Sequence, residues 1–206
     1  MEHRILALLL VILLLIYWQI FLPGSKVATD FPLVSTNSLK SQFDIPRSWN
    51  DDGTDGLGQN VGFTLWSWPL SFLSGALASF NLGFSFQERA LYLIPFLLMG
   101  GWGIWRLCKY LSLSNKASFI SSIFYLANTY ILLIIDGGQL RIALAYGILP
   151  GCFLLIEKAV HNRLTSKILA ALSIVLLGFF DIRFIYILFM LTFLRFIYSL
   201  VFDLRN

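Results

Sequence analysis

The chain has 206 residues, of which 58% are hydrophobic and only 13% are charged, and its mean hydropathy is +0.78. This composition lies outside the range of soluble globular domains and indicates an integral membrane protein. The net charge of +4 does not indicate a nucleic-acid partner, because Lys and Arg stand singly at the ends of apolar runs and form no basic patch.

The first predicted membrane span is the uncharged run 5–22, close to the ~20 residues that a helix needs to cross a bilayer. Tyr17 and Trp18 lie near its end, where aromatic side chains favour the membrane interface. A cleaved signal peptide is the alternative for an N-terminal run of this kind. However, the run is longer than a typical signal core, and Lys26 interrupts the small-residue pattern that ends at Ala28. We therefore predict an uncleaved first span.

Five further runs are predicted to cross the membrane, and they are 90–105, 117–135, 142–156, 168–180 and 184–202. A sixth run, 61–86, contains Trp66, Trp68 and Pro69 and is more typical of a helix that lies at the interface. If this run does not cross, the cations between the later spans join Arg4 on one side, as the positive-inside rule requires. The spans 142–156 and 168–180 are short and need flanking residues to fit the bilayer.

The prediction is an all-α, polytopic membrane protein with about six transmembrane helices in one module, residues 1–206. Both termini are cytoplasmic. The long loop 23–88 is extracytoplasmic and contains an interfacial helix at about 61–80. The protein is thus predicted to be an integral, multi-pass component of the cell membrane, in contact with membrane lipids.

The polar part of this loop, residues 23–60, is acidic and contains Asp30, Asp44, Asp51, Asp52 and Asp55. Asp30 follows the first span closely, so it lies just above the membrane surface, where a carboxylate can bind a divalent cation or accept a proton. The alternative is a turn-capping aspartate before Pro32. The run from Asn50 to Gly56 has neither the spacing nor the terminal Glu of an EF-hand, so turn chemistry is the preferred explanation, and a metal bound without that motif is the alternative.

Other charged candidates lie at the predicted outer ends of the spans. Asp136 precedes two glycines that allow a close backbone approach to a ligand, and Arg141 opens the next span. Asp181 and Arg183 are close enough to form an ion pair or to face a common crevice. Arg89 can bind a phosphate through its guanidinium group or extend toward lipid headgroups.

Several chemistries are disfavoured by what the sequence lacks. His3 and His161 fall on the cytoplasmic side, far from the acidic loop, which disfavours zinc chemistry and triad hydrolysis. Cys108 and Cys152 lie in or beside apolar segments, which predicts small buried thiols. No phosphate-binding glycine motif is present.

A first span, a long outer loop with an early aspartate, and later spans whose outer turns carry acids resemble the N-terminal half of GT-C-type membrane glycosyltransferases. The stretch YLANTYILLIIDGGQLRIALAYGILPGCFLLIEKA, residues 125–159, resembles arabinofuranosyltransferase-like members of that superfamily. Such enzymes have about twice as many spans, so the resemblance implies a fragment of a larger architecture or a separate C-terminal partner chain.

The resemblance implies transfer of a sugar from a polyprenyl-phosphate donor to an acceptor on the extracytoplasmic face. Asp30 and Asp136 would be the catalytic residues and would also bind a divalent metal, Mg²⁺ or Mn²⁺. Arg89, Arg141, Asp181 and Arg183 are the candidates for substrate binding. Two other functions stay open from the residues: a transporter or lipid-flippase component, whose ionisable groups belong at the bilayer midplane, and a non-catalytic assembly subunit.

Overall fold

The computed structural model describes residues 2–24, 35–45, 49–50, 59–60, 66–161 and 164–202. The helices are α1 Glu2–Ile16, α2 Thr36–Lys40, α3 Trp68–Ser79, α4 Phe84–Gln87, α5 Ile94–Tyr110, α6 Asn115–Leu126, α7 Thr129–Asp136, α8 Leu140–His161, α9 Leu164–Phe180 and α10 Arg183–Phe202. A 3₁₀ turn, Trp18–Phe21, follows α1, and a π-helical turn, Glu88–Leu93, joins α4 to α5. Two short antiparallel strands, β1 Trp49–Asn50 and β2 Gln59–Asn60, pair in the loop.

Four helical segments of the described chain are long and apolar enough to cross a membrane, namely Phe84–Tyr110, Asn115–Asp136, Leu140–Val160 and Arg183–Phe202. Two shorter apolar helices, Arg4–Ile16 and Leu164–Phe180, accompany them. The predicted helical, multi-pass class agrees with this architecture. The number of six spans and the orientation of the termini stay predictions.

Each run that was predicted to span coincides with helix, but the boundaries differ. The two runs that looked short are extended by their flanks into α8 and α9, which have 22 and 17 residues. The first run is shorter as α-helix than predicted, since α1 ends at Ile16 and continues as a 3₁₀ turn. The interfacial helix predicted at about 61–80 corresponds to the 12 residues of α3, a length of about 18 Å that is too short to cross a bilayer.

The centre of the fold is the contact between α5 and α8, which run in the same direction. Small residues bring the two backbones together: a Cβ added to Gly103 would lie 3.0 Å from the Gly151 backbone nitrogen, and one added to Gly100 would lie 3.3 Å from the Gly147 Cα. Close approach through glycine is how membrane helices gain packing energy in the absence of a hydrophobic driving force. The buried side chains Phe96, Trp105 and Leu144 complete this core, and so it positions the other helices.

The last helix, α10, packs at the edge of the bundle. Only 11% of its apolar window is buried inside the protein, against 61% for the window in α8. Its exposed side chains include Phe189, Met190 and Phe193. A face of this kind is stable when it contacts lipid. Cys108 in α5 and Cys152 in α8 are free and buried, as the sequence predicted.

The part of the loop around α2 is anchored to the bundle through α3. The backbone of Phe43 passes so close to Gly75 that an added Cβ would lie 2.4 Å from the Phe43 nitrogen. The Trp68 indole donates a hydrogen bond of 2.9 Å to the Asp44 carbonyl. These contacts fix the segment after α2 on the surface of α3, so this part of the loop is packed against protein.

Candidate functional site

The described candidate residues lie at one end of the helix bundle. Because α5 and α8 run in the same direction, Arg89 before α5 and Arg141 at the start of α8 lie at the same end. Short connections of two or three residues join α7 to α8 and α9 to α10, which bring Asp136, Asp181 and Arg183 to that end as well. We call it the outer end, after the predicted topology.

Asp136 is the last residue of α7, and its side chain is exposed. The turn after it is closed by backbone hydrogen bonds from Gly137 to Leu133 and from Gln139 to Ile134. Among the described residues, no hydrogen bond or ion pair involves its carboxylate. A negative charge is also unfavourable at the C-terminal end of a helix. The stability of α7 therefore does not explain an aspartate here, and its carboxylate is free to act on a ligand.

Arg141 is partly buried and holds α8 against the start of α3. Its two terminal nitrogens donate hydrogen bonds of 2.8 Å to the Ser67 hydroxyl and 3.0 Å to the Ser71 hydroxyl. Its Nε is buried and has no hydrogen-bond partner in the part of the chain that the structure describes. Tyr92 is a further neutral contact of the same guanidinium group. A partly buried cation whose described partners are all neutral oxygens keeps its affinity for an anion.

Asp181 and Arg183 form a direct ion pair, which is one of the two alternatives that the sequence left open. The Arg183 Nε lies 2.9 Å from Oδ1 of Asp181, and its Nη2 lies 2.5 Å from Oδ2. The backbone N–H of Arg183 also donates to Oδ1 at 2.9 Å. Asp181 is buried, with 7% of its surface exposed. This pair closes the turn between α9 and α10, so its first role is structural.

Arg89 binds the end of the first helical segment. Its Nε donates to the Ile20 carbonyl, and its Nη2 donates to the carbonyls of Leu22 and Gly24, each at 2.6 Å. Its Nη1 donates to the Ser85 carbonyl and lies 3.6 Å from the buried Glu88. All three nitrogens are thus bonded within the protein, which makes Arg89 a poor candidate for the predicted phosphate contact.

The acidic loop residues Asp30, Asp51, Asp52 and Asp55 lie outside the described residues. Within the described ranges, no group of three His, Cys, Asp or Glu side chains is arranged to hold a metal ion. Asp136 is the only member of the predicted metal pair whose position is described. The described part of the chain therefore does not make up a metal site by itself, and the Mg²⁺ or Mn²⁺ assignment stays a prediction.

A break in the segment Asn115–Asp136 is a polar feature that the sequence did not reveal. Helix α6 ends at Leu126, and Asn128 caps α7 by accepting a hydrogen bond of 3.1 Å from the Ile131 N–H. Three of the backbone carbonyls at the break accept hydrogen bonds from side chains. The Asn128 amide donates to the carbonyls of Phe124 and Tyr125, and the Tyr17 hydroxyl donates to the carbonyl of Leu126.

Two tyrosines connect this break to α8. Their rings stack with centroids 4.2 Å apart, the Tyr125 hydroxyl donates to the Tyr146 carbonyl at 2.8 Å, and the Tyr146 hydroxyl donates to the Tyr125 carbonyl at 3.0 Å. Pro150 lies four residues after Tyr146 and has no N–H to donate to that carbonyl. Interrupted backbone at membrane depth must be satisfied by protein or by water, and here protein satisfies it.

A salt bridge at the opposite end of the bundle is a second feature that the sequence did not reveal. The Arg195 Nε lies 3.4 Å from the Glu157 carboxylate, of which only 10% is exposed. The available signal was Arg195 itself, the charge that interrupts the last apolar run, but nothing in the sequence named its partner 38 residues away. The pair neutralises both charges where α8 meets α10.

An apolar groove of about 270 Å³ runs along the bundle surface between α5, α8 and α9. Trp102, Ile148, Leu155 and Leu172 form part of its wall. The groove begins about eight residues below the start of α8, or roughly 12 Å from the outer end. Its position lets a lipid tail lie along the bundle while the head of the same lipid reaches the outer end.

Comparison with protein-family models, with curated proteins and with solved structures finds no match.

Proposed function

We propose that the chain is a GT-C-like membrane glycosyltransferase, or the N-terminal module of one, that transfers a sugar from a polyprenyl-phosphate donor on the extracytoplasmic face. The observation that carries the proposal is the outer-end pair of Asp136 and Arg141. Among the described residues, the exposed Asp136 carboxylate has no protein partner, and it stands five residues from a guanidinium group whose described partners are neutral.

This pair fits the charges of the proposed reaction. The bond between the sugar anomeric carbon and the phosphate oxygen breaks, and a bond to the acceptor oxygen forms. The polyprenyl phosphate leaves with the bonding electrons and gains negative charge, which a cation such as Arg141 stabilises. A carboxylate accepts the proton of the acceptor hydroxyl. We assign this base role to Asp30 or Asp136, with the other residue positioning the acceptor.

The donor fits the shape of the surface. A polyprenyl chain needs an apolar groove that continues from the phosphate into the bilayer, and the groove along α5, α8 and α9 supplies such a wall. Among the predicted substrate-binding residues, Arg141 takes the place of Arg89, whose nitrogens are bonded to backbone carbonyls. Arg183 and Asp181 neutralise each other at the neighbouring turn.

A transporter or flippase component is the second candidate, and the break at Asn128 favours it, because transporters bind substrates at interrupted helices. Against it, the side chains at this break are uncharged, and their hydrogen bonds are internal. The free charges lie at helix ends. The geometry therefore favours a reaction at the membrane surface over a path through the bilayer.

The test is transfer of radiolabelled sugar from polyprenyl-phosphate donors in membranes that contain the full chain. Native protein is compared with Asp30→Asn at equal expression, with and without Mg²⁺ or Mn²⁺. Loss of transfer in a folded variant supports the proposal. A native protein that transfers no sugar, with or without a coexpressed C-terminal partner, but moves labelled lipid across vesicles would replace it with the flippase function.

A further inference from the structure

A second apolar groove, of about 430 Å³, lies near the opposite end of the bundle between α8, α9 and α10. Natural ligand pockets have roughly 300–1,000 Å³, so the groove is large enough to hold a chain-like ligand. Small side chains create the hollow, because Ala159, Ala170 and Ala171 line it where neighbouring positions carry larger residues. Phe189 of α10 forms the facing wall.

Two of the described lining residues, Thr192 and Lys167, carry polar side chains, and they differ in whether they can bind a ligand. The Thr192 hydroxyl donates to the Leu188 carbonyl at 2.8 Å, so it is engaged within its own helix. Lys167 is the charged residue of the lining, and its side chain is exposed. Among the described residues, no hydrogen bond or ion pair involves its ammonium group. The groove thus ends in an available positive charge.

The neighbouring charges do not cancel this one. Glu157 follows the lining residue Ile156, but its carboxylate is paired with Arg195 at 3.4 Å. Lys158 is exposed and is not part of the lining. In the predicted orientation this end faces the cytoplasm, where the membrane leaflet is rich in anionic lipids.

We propose that this groove binds an anionic phospholipid of the cytoplasmic leaflet, with one acyl chain against the alanines and the phosphate against Lys167. The combination of a long apolar wall and Lys167, the charged residue among the described lining residues, matches an amphiphile with one anionic head. The site lies at the opposite end from Asp136 and Arg141, so it does not depend on the glycosyltransferase proposal.

The test is native mass spectrometry of the full chain in detergent with phosphatidylglycerol or with phosphatidylcholine of identical acyl chains. We expect native protein to retain phosphatidylglycerol with roughly fivefold preference, since one Lys near the membrane surface contributes about a factor of this size. Lys167→Gln removes the preference but keeps weak binding of both lipids. Lys158→Gln is the matched control, an exposed cation outside the groove, and it keeps the preference.

A third variant tests the apolar wall. Ala171 is exposed and lines the groove, so Ala171→Phe fills the hollow without disturbing a buried position and should lower retention of both lipids severalfold. Equal effects of Lys167→Gln and Lys158→Gln would overturn the proposal in favour of a diffuse surface charge. So would unchanged binding in Ala171→Phe, or a dimer in which the groove is covered by a second copy of the chain.

Discussion

Tyr125 and Tyr146 exchange hydrogen bonds: the hydroxyl of each donates to the backbone carbonyl of the other, at 2.8 and 3.0 Å. Both carbonyls lack a backbone donor in their own helix, and the Asn128 amide also donates to that of Tyr125, at 2.8 Å. That of Tyr125 lies at the end of α6, where no helical N–H follows, and that of Tyr146 lies one turn before Pro150 in α8. The two tyrosines therefore join two local backbone defects into one stable contact.

Removing either hydroxyl should destabilise the fold while the ring stack remains. We expect Tyr125→Phe and Tyr146→Phe each to lower the free energy of unfolding by about 0.6–1.7 kcal/mol, the usual size for hydrogen bonds inside membrane proteins. Unfolding in mixed micelles measures this. Tyr186→Phe is the control, since Tyr186 is 69% exposed. Equal stability of all three variants would show that the exchanged bonds contribute nothing.

Pro150 provides a sharper test of the same contact. Pro150→Ala restores a backbone N–H four residues after Tyr146, and this N–H can bond the carbonyl that Tyr125 otherwise serves. In this background, Tyr125→Phe should cost at least about 0.5 kcal/mol less than in the native chain, which is a measurable coupling between contacting residues. Strictly additive effects in the double-mutant cycle would show that the Tyr125 hydroxyl does not compensate for the missing N–H of Pro150.

Two glycines on α8 should respond differently to the same substitution. A Cβ on Gly147 would lie 2.8 Å from the buried Phe96 ring and 3.1 Å from the Phe96 carbonyl oxygen, whereas a Cβ on Gly151 has no neighbour closer than 3.9 Å. We expect Gly147→Ala to lower the free energy of unfolding by about 1–3 kcal/mol through overpacking. Gly151→Ala should leave it within about 0.5 kcal/mol of the native value. A thermal melt of both variants in detergent decides this, and similar melting temperatures would contradict the packing described for α5 and α8.

Arg89 should stabilise the fold even when no sugar donor is bound. Arg89→Gln removes charged hydrogen bonds to the Ile20, Leu22 and Gly24 carbonyls. In the absence of ligand, it should therefore lower the free energy of unfolding by about 1.5–3 kcal/mol. The control is Arg106→Gln, an exposed arginine that stacks on Trp102 and should cost no more than about 1 kcal/mol. If Arg89→Gln keeps the native stability but binds the polyprenyl-phosphate donor more weakly, the structural role of Arg89 is contradicted and the predicted phosphate contact is supported.

The sequence predicted those features that depend on hydropathy or on near neighbours. Uncharged runs indicated the helices because an apolar segment in a bilayer must satisfy its own backbone, and Asp181 and Arg183 were recognised as a potential pair because only one residue lies between them. Partners far apart in sequence could not be found this way. Arg89 binds carbonyls that lie 65 to 69 residues earlier, and the break at Asn128 lies inside a run that contains no charged residue.

The candidate site was predicted in part for the same reason. Charges at the outer ends follow from the alternation of spans, so Asp136 and Arg141 could be placed together. Their environment could not, since the serines that bind Arg141 lie at the start of α3 and just before it, about 70 residues earlier. Asp30 lies outside the described residues, and its catalytic role stays a prediction.

The most direct test of the account is sugar transfer by Asp136→Asn and Asp44→Asn, measured side by side with radiolabelled polyprenyl-phosphate donor at equal expression and with matched melting temperatures. Both residues are exposed aspartates of the same predicted face. We predict that Asp136→Asn loses roughly 100-fold or more of the transfer rate, as expected for a carboxylate that acts in the reaction, and that Asp44→Asn keeps the native rate. Full transfer by Asp136→Asn, or an equal loss in both variants, would contradict the outer-end site.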